Sequence, residues 1–187
     1  MARVFITGSS DGLGLMTGQL LADQGHQVVL HARNDARATD AKTAAPKAEA
    51  VAVGDLASIA ATKDLAAQIN ALGRFDAIIH NAAVGFREEQ RLTSEGVPHV
   101  FAINTLAPFI LTVLIERPKR LVYLSSGMHE RANANLDDIF WLKRPWDGSS
   151  AYAESKLHDV MLAFTVARYW PNVLSNAVTP EIGRAHV

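Results

Sequence analysis

Tyr152 and Lys156 stand four residues apart in a stretch of helical period, Ser149–Tyr169, which puts both side chains on one face. A tyrosine on its own titrates at about pH 10. An ammonium beside it stabilises the phenolate, and such a pair can act as a general acid/base near neutrality. The same spacing also occurs on ordinary amphipathic surface helices, so the pair needs company before it signifies chemistry. That company sits at the other end of the chain. Thr7–Gly14 reads Thr-Gly-Ser-Ser-Asp-Gly-Leu-Gly, after the apolar run Val4-Phe5-Ile6 and before the amphipathic run Leu15–Ala22. Strand, glycine-rich turn and helix in that order form the context of a dinucleotide site. In that reading Gly8 takes backbone angles closed to other residues. Gly12 leaves room for a pyrophosphate, and Gly14 lets the helix approach the strand. Ser10 and Leu13 complete the turn, and the helix offers its free N–H groups and positive end to the phosphates.

Further polar residues stand where other apolar strands end. Arg33, after Gln27–His31, is placed to accommodate a 2′-phosphate, which favours NADP(H). It could equally be an arginine on a solvated loop, and NAD(H) stays possible because Asp35 is near. Asp55, followed by Leu56, could accept from an adenine amino group or cap the next helix. Asn81-Ala82-Ala83 permits close approach of a cofactor, and the Asn81 amide could also bridge strands. Asn104 lies inside the apolar helix Phe101–Leu114. Burying its amide without partners costs about 1–3 kcal/mol, so it has a specific partner or a function. Ser125-Ser126-Gly127 follows the fifth apolar strand.

The elements that must carry these residues alternate. Strands are expected at Arg3–Thr7, Gln27–His31, Ala48–Val53, Phe75–His80, Lys119–Ser125 and Val173–Val178, and helices at Gly12–Gln24, Asp35–Ala45, Ser58–Leu72, about Ser94–Glu116 and Ser149–Tyr169. In the last helix Leu157, Val160, Met161, Phe164 and Val166 are expected on or near one apolar face. Residues 127–148 read as irregular, with Trp141 and Trp146 either lining a substrate pocket or packing on the surface. Strands separated by helices, several of them continuous apolar runs, indicate a parallel sheet buried on both faces. A doubly wound α/β fold of this kind binds its ligand at the carboxyl ends of the strands.

The totals agree with one globular domain. The 187 residues are 49% apolar and 20% charged, with a net charge of −1 and no cysteine. Such a charge gives no field to attract nucleic acid or an anionic membrane. The lack of cysteine excludes disulfides and thiol chemistry and fits a reducing, cytoplasmic setting. No apolar run reaches the roughly 18 residues of a membrane span, and no signal peptide is legible.

Taken in order, Thr7–Gly14, Asp55-Leu56, Asn81–Ala83, Asn104, Ser125-Ser126 and Tyr152–Lys156 resemble the motif set of the short-chain dehydrogenase/reductase family, over residues 1 to about 180. The resemblance implies a single-domain Rossmann-like sheet of order 3-2-1-4-5-6, with a seventh strand missing. It implies an NAD(P)-dependent oxidoreductase acting on a small carbonyl or alcohol substrate, with homodimers or homotetramers prevailing. Tyr152 would give or take the substrate proton. Lys156 would bond the nicotinamide ribose and support the Tyr152 phenolate. Ser126, rather than Ser125, would bond the substrate oxygen, and Asn104 would hold a relay water. Direct hydride transfer requires no metal. Two departures stand out. Ala83 replaces a frequent glycine, and Asp11 occupies a place that is often basic in NADP-preferring members. A dinucleotide-sensing regulator and a sugar-nucleotide epimerase or dehydratase are the competing readings. A sensor needs neither Ser126 nor Tyr152, and epimerases usually have a shorter glycine spacing and a longer C-terminal domain.

The segment 181–187, Glu-Ile-Gly-Arg-Ala-His-Val, has no apolar period and resembles nothing in the family. Back-translated as GAG ATC GGA AGA GCA CAC GTC, it matches a widely used sequencing adapter from its second base. It is expected to be a non-native tail on an incomplete domain, leaving the sixth strand as an edge and turnover low or absent.

Overall fold

The computed structural model describes residues 1–180. The tail at 181–187 lies outside the described residues. Six parallel strands form one sheet: β1 (Arg3–Ile6), β2 (Gln27–Ala32), β3 (Ala50–Val53), β4 (Ala77–His80), β5 (Arg120–Leu124) and β6 (Leu174–Val178), in the order β3-β2-β1-β4-β5-β6. Register follows the expected centre, with Val4 opposite Val28 and Phe5 opposite Ile78. Alternation along β1 sends Phe5 to one face and Val4 and Ile6 to the other. The Phe5 face packs on α3 (Ile59–Ala71) through Leu65, Ala66 and Ile69, and on α5 (Ala107–Leu114) through Leu111. It also packs on α6 (Gly148–Tyr169) through Ala163 and Val166. The Val4 face packs on α1 (Gly12–Asp23) and α2 (Asp35–Ala44). The strands are apolar on both sides because helices cover both sides.

Local chemistry sets the element ends. Ser58 accepts from the Ala61 N–H at 3.3 Å and Asn34 from the Arg37 N–H at 3.0 Å, so each caps its helix. The helix expected over 94–116 is shorter and broken. It opens at α4 (His99–Phe101), widens into a π-helical segment over Ala102–Leu106, and resumes as α5. Pro108 has no N–H to return to the carbonyl of Asn104, so an unbroken α-helical ladder is impossible there. The Ala107 N–H bonds the Ala102 carbonyl instead. A π-segment of this kind often marks a functional position, and Asn104 lies inside it.

A second correction concerns α6. Its buried side includes Glu154, Ser155, Lys156, His158 and Asp159, whereas Leu157, Val160 and Met161 are only partly buried and Phe164 is 72% exposed. Of the expected apolar face only Val166 is buried. The helix turns a polar network inward where that side meets the end of β5: Lys156 Nζ donates to the Leu124 carbonyl, and Ser125 Oγ donates to the Lys156 carbonyl.

Candidate active site

Across the carboxyl ends of β1 to β4 runs a cleft of about 800 Å³. Every residue the sequence assigns to the dinucleotide other than Tyr152 and Lys156 lines it: Gly8, Ser10, Gly12, Leu13, Gly14, Arg33, Asp55, Leu56, Asn81 and Ala82. Gly12 has φ +54°, and a Cβ there would meet nothing within 4 Å, so the turn leaves open space beside it. Gly14 is the opposite case. A Cβ there would lie 2.5 Å from both the Gly8 carbonyl oxygen and Asn81 Nδ2. The first turn of α1 has no side-chain cap, so its N–H groups face the cleft side of the turn uncommitted to a capping oxygen. These features fit a dinucleotide phosphate.

Three strands brace the glycine turn. Thr7 Oγ1 accepts from the N–H groups of Asn81 and Ala82 at 3.0 and 3.1 Å. Asn81 Nδ2 donates to the Thr7 and Gly8 carbonyls at 3.0 and 2.8 Å. The bridging role considered for Asn81 is therefore present, on the wall of the cleft itself. His31, to which the sequence reading gives no role, joins three elements. Its Nδ1 accepts from the Gly8 N–H at 2.9 Å and its Nε2 donates to the Gly54 carbonyl at 2.8 Å. Those partners require the neutral ring with the proton on Nε2, and burial holds its pKa below the usual histidine value. The signal available was a histidine inside the otherwise apolar strand Val28–Ala32. Asp55 does not cap α3. Its Oδ1 accepts from the Ala57 N–H at 2.9 Å, and Ser58 is the cap.

Arg37 is a second residue that sequence reading missed. It lines the cleft with Arg33 and forms an ion pair with Asp11 and another with Asp40, the latter at 3.2 Å. The carboxylate that seemed out of place at Asp11 thus faces a guanidinium one turn into α2.

The four residues assigned to catalysis stand apart from this cleft lining. Asn104 is fully buried. Its Oδ1 accepts from the Val84 N–H at 2.9 Å, while its Nδ2 donates to the Val84 carbonyl at 2.9 Å and to Ser155 Oγ at 3.0 Å. The Ser155 hydroxyl donates to the Tyr152 carbonyl at 2.7 Å. Asn104 therefore has specific partners that tie the strand-four loop to the turn of α6 bearing Tyr152. Ser125 and Ser126 separate cleanly. The buried Ser125 hydroxyl donates to the Lys156 carbonyl at 2.8 Å, whereas Ser126 Oγ accepts from the Met128 N–H at 3.3 Å and keeps its own proton to donate. Lys156 Nζ donates to the Leu124 carbonyl at 2.7 Å and to Asp159 Oδ2 at 2.9 Å, and lies 5.9 Å from the centroid of the Tyr152 ring. That ring packs edge-on to Phe86 at 6.0 Å.

Residues 141–146 are pinned to α6 and to the loop after β4. Arg144 stacks 3.7 Å above the Trp141 ring and grips Glu154 through both terminal nitrogens at 2.7 and 2.6 Å. Trp146 packs on Trp141 at 5.3 Å and donates to the Glu88 carbonyl at 2.9 Å. Trp141 is buried and Trp146 half-buried, so neither simply packs on the surface.

The family model for short chain dehydrogenases matches residues 2–121. The chain belongs to that family. It is 50% identical over 177 residues to the oxidoreductase AN7799 of Emericella nidulans, a match covering 93% of this chain and 67% of that one. It is 44% identical to the short-chain dehydrogenase chyC of Penicillium rubens, over 96% of this chain and 70% of that one. A crystal structure from Mycobacterium paratuberculosis superposes with TM-score 0.88 at 27% identity, covering 100% of this chain and 70% of that one. The fold also matches a short-chain dehydrogenase from Sphingobium yanoikuyae in complex with NADPH, at TM-score 0.73 and 22% identity, over 96% and 70% of the two chains. A member of the short-chain dehydrogenase family is an oxidoreductase acting on CH–OH or C=O groups. Among the described residues no helix is long and apolar enough to cross a membrane, and no group of acidic or histidine side chains is arranged to hold a metal.

Proposed function

We propose that this chain is an NADP(H)-preferring oxidoreductase that interconverts a small carbonyl compound and its alcohol, with Tyr152 as general acid/base. The observation that carries the reading is the joining of the two sites. The cleft that fits a dinucleotide and the Tyr152–Lys156 turn are bound to each other through Asn104, whose amide spans Val84 of the cleft wall and Ser155 of α6. A bound nicotinamide supplies or accepts the hydride. Ser126, with a free hydroxyl proton, bonds the substrate oxygen. Tyr152 gives that oxygen its proton in reduction and takes it in oxidation, and the Lys156 ammonium stabilises the phenolate that results. Lys156 already uses two donors, on Leu124 and Asp159, and has a third for a ribose hydroxyl. Asn104 holds a water behind this pair. The preference for NADP(H) rests on two guanidiniums, Arg33 and Arg37, at one end of the cleft, with Asp11 neutralised by Arg37. The NADPH in the similar Sphingobium yanoikuyae structure supports the same choice. Phe109 and Val113 on α5 and Phe164 on α6 are exposed, which supports a homodimer or homotetramer built on those helices.

Fluorescence titration with NADPH and with NADH tests the cofactor assignment. NADPH is expected to bind tighter, and Arg33→Ala is expected to remove roughly tenfold of that preference, as one charged hydrogen-bonding contact would. Tighter NADH binding, or an Arg33→Ala variant with unchanged preference, would contradict the 2′-phosphate role.

A further inference from the structure

Lys156 is buried, with 3% of its side chain exposed, and so is Asp159, also 3%. They face each other one turn apart on α6, with Nζ 2.9 Å from Oδ2. A buried ammonium calls for an opposite charge beside it, because burial penalises the charged form. Lys156 has one carbonyl, Leu124, and one carboxylate. We propose that Asp159 is a positioning residue: its carboxylate is the counter-ion that keeps the buried Lys156 ammonium charged and fixed beside Tyr152. This rests on the roles given above to Tyr152 and Lys156.

Among the described residues Lys156 is the one ion-pair partner of Asp159. From β5, Tyr123 faces it. Burial pushes the Tyr123 phenol up to about 12, with the Asp159 charge adding to the effect, so Tyr123 stays neutral. Its hydroxyl is bonded to Thr112 Oγ1 of α5 at 2.7 Å, and its ring stacks on His80 of β4 at 4.8 Å. His80 is pushed by burial down to about 3 and is neutral as well. Lys156 is the charge that pulls against burial at Asp159, whose carboxyl nevertheless stands at about 7. The pair is therefore ionised on the alkaline side of neutrality and takes a proton on Asp159 below it. Nothing in the Tyr-x-x-x-Lys spacing requires an acid three residues later. Asp159 acts through Lys156, with no contact to substrate implied.

Ultraviolet titration of the phenolates tests this without cofactor or substrate. The chain has three tyrosines, Tyr123, Tyr152 and Tyr169. The step lost in Tyr152→Phe belongs to Tyr152. In Asp159→Asn, that step is expected to move to higher pH by roughly one unit, because a Lys156 no longer held by a carboxylate supports the phenolate less. Asp159→Glu should restore most of the shift. An unmoved step in Asp159→Asn, or one moved to lower pH, would overturn the proposal. If Asp159→Asn does not fold by circular dichroism, the double variant Lys156→Met/Asp159→Asn decides. Recovery of the fold when both charges are gone supports the counter-ion role, and failure to recover assigns Asp159 to packing and overturns it. The oxidoreductase reading fails on NADPH binding and carbonyl reduction, which are separate measurements, so the two failures are distinguishable.

Discussion

Tyr152→Phe is expected to lower NADPH-dependent reduction of an aldehyde by about 10²–10⁴-fold, the usual range for a lost general acid, while NADPH affinity stays nearly unchanged. The substitution removes one atom. The ring that packs edge-on to Phe86 at 6.0 Å is retained. Ser155 still bonds the backbone carbonyl of residue 152, since that bond does not involve the ring. Lys156 remains held by Leu124 and Asp159. A fall in kcat with intact binding therefore reports the hydroxyl and its proton. Steady-state rates and a fluorescence titration on the same preparation check it. A regulator that only senses dinucleotide would have no turnover to lose, and Tyr152→Phe would be silent.

Gly14→Ala is expected to weaken NADPH binding about tenfold or more. Its Cβ would stand 2.5 Å from the Gly8 carbonyl oxygen and from Asn81 Nδ2. The first is backbone and cannot rotate away. The second is the amide that holds the turn to β4 through Thr7 and Gly8. Overpacking of this kind typically costs about 1–3 kcal/mol, and each 1.4 kcal/mol is about a tenfold change in affinity when it falls on the bound geometry. Titration with NADPH, with a thermal melt to separate lost binding from lost fold, checks it. Unchanged affinity would mean that α1 can retreat from the strand without disturbing the phosphate turn.

The sheet was legible because its signals are local and repeated. Apolar runs such as Leu121-Val122-Tyr123-Leu124 and stops such as Gly25 recur at βα spacing, and strand order followed from the family motifs. The cleft was legible for the same reason. Its glycines, Arg33, Asp55 and Asn81 stand at strand ends, where backbone geometry rather than side-chain contact fixes position. What escaped depends on contacts between distant residues. His31 gains its role only when Gly8 and Gly54 arrive on either side of it, twenty-three residues away in each direction. Arg37 reaches Asp11 across twenty-six residues. The π-segment required weighing Pro108 against Asn104, and helical period alone ran straight through both. The inward face of α6 was misread because period selects apolar residues, whereas this helix buries an ion pair and a carboxylate clamped by Arg144.

Direct hydride transfer beside Tyr152 is tested most directly by reduction of benzaldehyde and cyclohexanone with NADPH carrying deuterium at both nicotinamide C4 positions, followed by mass spectrometry of the alcohol. Deuterium on the carbinol carbon, at a rate that collapses in Tyr152→Phe, is the predicted result. An alcohol without deuterium, or a rate of deuterated alcohol formation unchanged in Tyr152→Phe, would contradict it.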